Sequence, residues 1–197
     1  MGNHYRIAIF ASGSGTNAEQ IFQYFSNHSS IRPVLLLCNK PEAFVLTRAS
    51  RHSIPTIVFN KTQFTDGTVL ESLKSNQITH IVLAGFLWLM PESILTAFKG
   101  KIINIHPALL PDFGGKGMYG MKVHQAVKEA NLIETGITVH EVNEHYDEGR
   151  IIFQAKCEVL PDDNPEIIAE KVHKLEHKYF SSVIESWING IPYKASN

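Results

Sequence analysis

The segment Asn104-Ile105-His106-Pro107 sets an amide and an imidazole two positions apart, just before a stretch rich in glycine and proline. In an extended chain that spacing puts both side chains on one face. An amide N–H beside an imidazole suits a reaction that develops an oxyanion, because Asn donates to the oxygen and His either donates or moves a proton. Taken alone, a His at a strand end is more often structural. Asp147 stands farther along, in the polar turn His145-Tyr146-Asp147-Glu148-Gly149, where ordinary turn chemistry accounts for it. A carboxylate beside His106 would raise the imidazole pKa and favour its charged form. Spacing alone does not bring the two together.

Two further patterns bear on chemistry. Gly13-Ser14-Gly15-Thr16-Asn17-Ala18 fits the G-x-G-x-x-G/A turn between a first strand and a first helix, where glycine backbone and helix N–H groups receive a phosphate. A whole dinucleotide is disfavoured, because the second strand ends in Cys38-Asn39-Lys40 rather than in an acidic residue for the ribose. The competing reading is a tight turn with no ligand. His173-Lys174-Leu175-Glu176-His177 matches H-x-x-E-H, but no further ligand stands at metal spacing, so a solvated or packing role is expected and no metal. Cys38 and Cys157 lie in apolar, strand-like segments and read as reduced thiols.

These residues need a scaffold, and the apolar pattern supplies one. Strand-like runs at 5–11, 34–38, 56–59, 80–84 and 101–105 alternate with helical patterns after Asn17 and over 41–52, 66–76 and 91–98. That alternation predicts a Rossmann-like α/β fold with a mostly parallel sheet flanked by helices. Residues 107–120 form a long aperiodic loop, of the kind that is often functional. A helix is expected over 121–130, and strands over 136–142 and 150–159 that could pair antiparallel. A long closing helix follows over 165–188, with Ile168, Val172, Leu175, Tyr179 and Val183 as its apolar stripe. We expect one domain over 1–197, with a nucleotide-binding half at about 5–106 and a catalytic half at about 107–190.

Composition narrows the partners. The chain has 197 residues, 18 basic against 19 acidic side chains and a formal net charge of -1. It lacks the basic footprint of a nucleic-acid binder. The apolar run from Ile7 is too short for a signal h-region, Arg6 stands where a myristoylation signal would want Ser or Thr, and no stretch is long enough to span a membrane. A cytoplasmic enzyme acting on small molecules is the expectation, as a monomer or homodimer, with neither nucleic acid nor membrane as partner.

In order along the chain, Ser12-Gly13-Ser14-Gly15-Thr16-Asn17, Leu83-Ala84-Gly85-Phe86 and the segment Asn104-Ile105-His106-Pro107-Ala108-Leu109-Leu110-Pro111 resemble the folate-dependent formyltransferases. Gly136-Ile137-Thr138-Val139-His140, Asp147-Glu148-Gly149 and Glu176-His177 continue the likeness. The Ser-Gly-x-Gly-Thr-Asn start points to the branch that formylates glycinamide ribonucleotide in purine synthesis. The resemblance implies that the substrate phosphate rests on Gly15, Thr16 and Asn17, and that Glu176 helps hold the glycinamide end. It places 10-formyltetrahydrofolate, the cosubstrate, against Leu87, Trp88, Leu89, Met90 and Asn104, with walls from Val142 to Tyr146. The catalytic set it implies is Asn104, His106 and Asp147. The substrate amine attacks the formyl carbon, Asn104 and protonated His106 stabilise the oxyanion, and Asp147 keeps His106 charged and assists proton transfer through water. No metal is implied.

The sequence departs from the commonest pattern at Trp88, where many relatives have Arg, and at Glu141, which replaces a frequent aromatic residue. The loop 113–120 is also longer and richer in glycine. Methionyl-tRNA formyltransferases share the Asn-x-His-Pro segment and the later Asp but carry a further tRNA-binding domain, and formyltetrahydrofolate hydrolases carry an N-terminal regulatory domain. Neither addition is expected here. A non-catalytic nucleotide-binding module is the alternative from another class.

Overall fold

The computed structural model of the chain describes residues 4–193; the expected domain's ends, 1–3 and 194–197, lie outside the described residues. Seven strands form one sheet in the order β3-β2-β1-β4-β5-β6-β7. In chain order they are β1 (Tyr5–Ala11), β2 (Ile31–Cys38), β3 (Thr56–Val58), β4 (His80–Leu83), β5 (Ile102–His106), β6 (Glu134–Glu141) and β7 (Ile151–Glu158). The helices are α1 (Thr16–Tyr24), α2 (Val45–Arg51), α3 (Lys61–Thr65), α4 (Thr68–Ser75), α5 (Glu92–Ala97), α6 (Met121–Glu129) and α7 (Pro165–Ile188).

The chain falls into two compact units, one ending at Ile103 and the other starting at Asn104. In the first, β1 pairs in parallel with β2 and with β4, and β2 pairs in parallel with β3. These strands read as continuous apolar runs because Ile7 to Ala11 and Leu35 to Cys38 are all buried. In the second, β6 and β7 pair antiparallel, as the sequence suggests. The fold is the expected α/β class, a mostly parallel sheet with an antiparallel C-terminal part and a 24-residue closing helix.

Three elements differ from the sequence reading. The helix expected over 41–52 begins only at Val45, because the chain first makes a turn in which Ala43 N–H donates to Lys40 O. The helix expected over 66–76 is preceded by α3, whose start is fixed by a capping box: Asn60 accepts from Gln63 N–H and Gln63 accepts from Asn60 N–H. On α7, Leu175 and Tyr179 are only half-buried, while Glu176 and Phe180 lie on the buried face with Ile168, Val172 and Val183.

Candidate active site

β5 ends at His106, and its alternation leaves Asn104 half-buried and His106 buried. The chain then enters the loop 107–120, whose first residues are pinned to β6 and β7 by side chains. Thr138 Oγ1 accepts from Leu110 N–H at 2.9 Å and donates to Ala108 O at 2.7 Å, and Gln154 Nε2 donates to Leu110 O at 3.0 Å. Farther on, Phe113 takes a positive φ of 55° and offers its carbonyl to His106 Nε2 at 2.8 Å.

Asp147 arrives from the turn that joins β6 to β7. Gly149 makes the turn tight enough, since a Cβ there would sit 1.7 Å from Glu141 O. Asp147 itself is left-handed, φ 59°, a conformation that Asp tolerates better than most residues. The structure thereby puts its carboxylate against both residues that the sequence could not connect to it. Oδ1 lies 3.4 Å from Asn104 Nδ2, and Oδ2 lies 3.5 Å from His106 Nδ1. The loop closes on it as well: Gly115 N–H donates to Oδ2 at 2.9 Å. Gly114 permits that approach, because a Cβ there would meet Leu110 Cδ2 at 2.6 Å and Asp147 Cβ at 3.2 Å.

A fourth side chain belongs to the cluster. His140 is buried at the end of β6, with Nε2 3.1 Å from Asn104 Nδ2 and 3.4 Å from Asp147 Oδ1. Its Nδ1 lies 2.8 Å from Glu141 O, so in the neutral ring Nδ1 carries the proton and Nε2 accepts from Asn104. The signal for His140 was its place as the last inward residue of Gly136-Ile137-Thr138-Val139-His140. The Phe113 carbonyl and the Gly115 N–H are main-chain groups and left no mark in residue types.

Opposing influences act on the His106 ring. Burial is the largest influence on His106 and holds its pKa below the ordinary histidine value, as does nearby His140. The Asp147 carboxylate and the Phe113 carbonyl push it up without prevailing. Asp147 therefore raises the proton affinity of His106, against the larger opposing effect of burial. For Asp147, burial pushes the pKa up, yet the neighbouring His140 and His106 rings and the Gly115 N–H together bring it below the usual carboxylate value. The pair is a carboxylate beside an imidazole both of whose nitrogens face acceptors. Added negative charge would protonate such a ring.

In the first unit the Gly13–Ala18 turn leads into α1 with Gly15 as the residue before the helix, left-handed at φ 75°. A Cβ on Gly15 would lie 2.3 Å from Val45 Cγ2, so only glycine fits. Thr16 and Asn17 follow, half-buried, in the first turn of α1. After β4, Leu87 and Leu89 are exposed and Met90 is buried. The half-buried Trp88 ring packs among Phe59, Phe64 and Phe86, with Lys61 Nζ 4.8 Å from its centroid.

In the second unit Val142 and Tyr146 are half-buried in the turn that carries Asp147. Glu176 is buried on α7, 4.0 Å from His173 Nε2. Among the described residues, no group of three or more His, Cys, Asp or Glu side chains is placed to hold a metal ion. Cys38 is buried and Cys157 half-buried; both are free thiols whose pKa burial pushes up. No helix among the described residues is long and apolar enough to cross a membrane.

The formyl transferase family pattern matches residues 5–184. The chain belongs to the formyl transferase family. Within it, the chain is 40% identical over 187 residues to phosphoribosylglycinamide formyltransferase of Bacillus subtilis (strain 168), covering 91% of this chain and 93% of that one. It is 39% identical over 186 residues to the chloroplastic phosphoribosylglycinamide formyltransferase of Arabidopsis thaliana, covering 91% of this chain but only 64% of that longer protein. Among solved structures it is similar to glycinamide ribonucleotide transformylase 1 from Geobacillus kaustophilus. That match has a TM-score of 0.84 and 36% identity, with 92% of this chain and 97% of that one covered.

Proposed function

We propose that this formyl transferase family member moves the formyl group of 10-formyltetrahydrofolate to the amine of glycinamide ribonucleotide, giving formylglycinamide ribonucleotide and tetrahydrofolate. The observation that carries the reading is the Asp147 carboxylate set between Asn104 and His106, at 3.4 and 3.5 Å. The substrate amine attacks the formyl carbon, a C–N bond forms, and the carbonyl oxygen becomes an oxyanion. Asn104 Nδ2 meets it by giving up its long contact to Asp147, which an anion outcompetes. The same negative charge raises the pKa of buried His106, so the ring takes up a proton from water as the intermediate forms and returns it when the C=O bond re-forms. Asp147 stabilises that cation and relays the proton lost by the amine towards N10 of the folate, through water, as the C–N10 bond breaks.

The ribonucleotide phosphate is assigned to the backbone of Gly15, Thr16 and Asn17 at the start of α1, where N–H groups and the helix dipole favour an anion. Glu176 is assigned to the glycinamide end, and Leu87, Trp88, Leu89, Met90, Val142 and Tyr146 to the folate. The chemistry runs on amide, imidazole and carboxylate without a metal. The reading includes a cytosolic enzyme of purine synthesis, in keeping with its two free thiols.

Incubation with both substrates, followed by separation of formylglycinamide ribonucleotide, tests it. Transfer to methionyl-tRNA but not to the ribonucleotide would overturn the substrate assignment, and ribonucleotide binding without turnover would favour a binding module. His106→Ala and Asp147→Asn should each cut turnover by roughly two or more orders of magnitude while the fold persists. Near-normal rates in either variant would overturn the roles given to these residues.

A further inference from the structure

We propose that Arg48, held in place by Glu19, is a positioning residue for the anion-binding turn. It fixes the Ser14–Gly15 peptide so that the N–H of Gly15 faces the substrate phosphate. The inference rests on the reading of that turn given under Proposed function.

Two consecutive carbonyls of the turn are tied to α2. Gly13 O accepts from Val45 N–H at 3.2 Å, and Ser14 O accepts from Arg48 Nε at 2.9 Å. In a planar trans peptide the C=O and the following N–H point in opposite directions. Anchoring Gly13 O on α2 therefore turns the Ser14 N–H away from that helix, and anchoring Ser14 O does the same for the Gly15 N–H. Successive N–H groups turned the same way make a concave seat for an anion. Gly15, packed against Val45, allows α2 to come this close.

By residue type Arg48 is the obvious side chain to grip a phosphate, but its guanidinium is already engaged. Its Nη1 donates to Glu19 Oε2 at 3.0 Å, and the other oxygen of Glu19 lies 2.5 Å from His52 Nε2. Side-chain exposures of 22% for Arg48, 14% for Glu19 and 24% for His52 set the three mostly out of solvent. Burial pushes the Glu19 carboxyl up, but hydrogen bonds from His52 and Arg48 reverse this and bring it below the usual carboxylate value. The guanidinium fork spans Ser14 O and Glu19 at once, which a lysine ammonium cannot do with the same geometry. The phosphate is thus read by main chain, and Arg48 sets the shape of that main chain.

The test compares kcat/KM for glycinamide ribonucleotide and for the same compound without its phosphate, in the full chain. The wild type should prefer the phosphorylated compound. Arg48→Ala should lower that preference by about ten-fold or more, mainly through KM for the ribonucleotide and not through KM for the folate. Added guanidinium ion should restore part of the loss. Arg48→Lys, which keeps the charge and bulk, should lower the preference in the same direction if Arg48→Ala folds poorly, and Glu19→Gln should do so to a smaller degree. A preference retained in both Arg48 variants, or an equal loss with both compounds, overturns the inference alone. A wild type indifferent to the phosphate overturns the reading of the turn, and the inference with it.

Discussion

His106 is pulled in two directions, and the balance is measurable. Burial lowers its proton affinity, while Asp147, 3.5 Å from Nδ1, and the Phe113 carbonyl raise it. NMR titration of the ring in the free protein should give a pKa below the ordinary 6.5. Asp147→Asn should lower it further, because the carboxylate is what offsets burial; an unchanged or higher value would contradict this account. His140 offers a second test at the same scale. As the ring that accepts from Asn104 Nδ2, it orients that amide, so His140→Ala should cost turnover by about ten-fold with little change in ribonucleotide KM. A KM effect alone would place His140 in binding. The sequence made the Asn104–His106 pair legible through strand alternation. It could not show Asp147 because that contact depends on how tightly the β6–β7 turn folds back, which Gly149 decides through its close approach to Glu141 O.

Among the elements, the loop 107–120 carries the most consequence. It is fastened at its start by Thr138 and Gln154, and farther on by His106 and Asp147. Gly114→Ala would force a methyl against Leu110 and Asp147, displacing the carboxylate by tenths of an ångström. Turnover should fall by about ten-fold or more, with far-ultraviolet circular dichroism unchanged; wild-type rates would show that the loop gives way without moving Asp147. The sequence correctly marked this stretch as aperiodic, since its glycines and prolines break both periods. It missed α3, whose five residues are too few to present an apolar stripe, although the Asn60 and Gln63 caps were readable. On α7 the apolar stripe named Leu175 and Tyr179, while the buried face also includes the polar Glu176. A periodicity of hydrophobic residues cannot reveal a buried carboxylate.

For the molecule as a whole, acid stability follows from buried histidines. Burial pushes the pKa of His124, on α6, and of His80, in β4, down to about 4. Between pH 6.5 and about 4 the unfolded chain takes up protons that the folded chain refuses, so stability falls as pH drops through that window. Below it Asp147 acts in the same direction: its contribution is present above its unfolded pKa and is lost as pH falls through the lowered folded value. Denaturant melts from pH 7 to 4 should show stability falling progressively through that window. His124→Leu should flatten the curve, and an equally steep curve would exclude His124 as a source. At this scale the sequence performed best. The ordered motifs from Ser12 to His177 pointed to the family that matches residues 5–184, because order along a chain survives where local spacing is ambiguous.

The acceptor facing His106 Nε2 is the carbonyl of Phe113, a group that every amino acid carries. No single codon change can delete it, and the strained φ of 55° means that replacement by glycine or asparagine would relax the backbone without removing the oxygen. A small molecule that donates a hydrogen bond into this carbonyl would draw on a contact that side-chain mutation has no direct means to remove. Escape would have to come from reshaping the whole loop, which also holds Asp147 and so would cost activity.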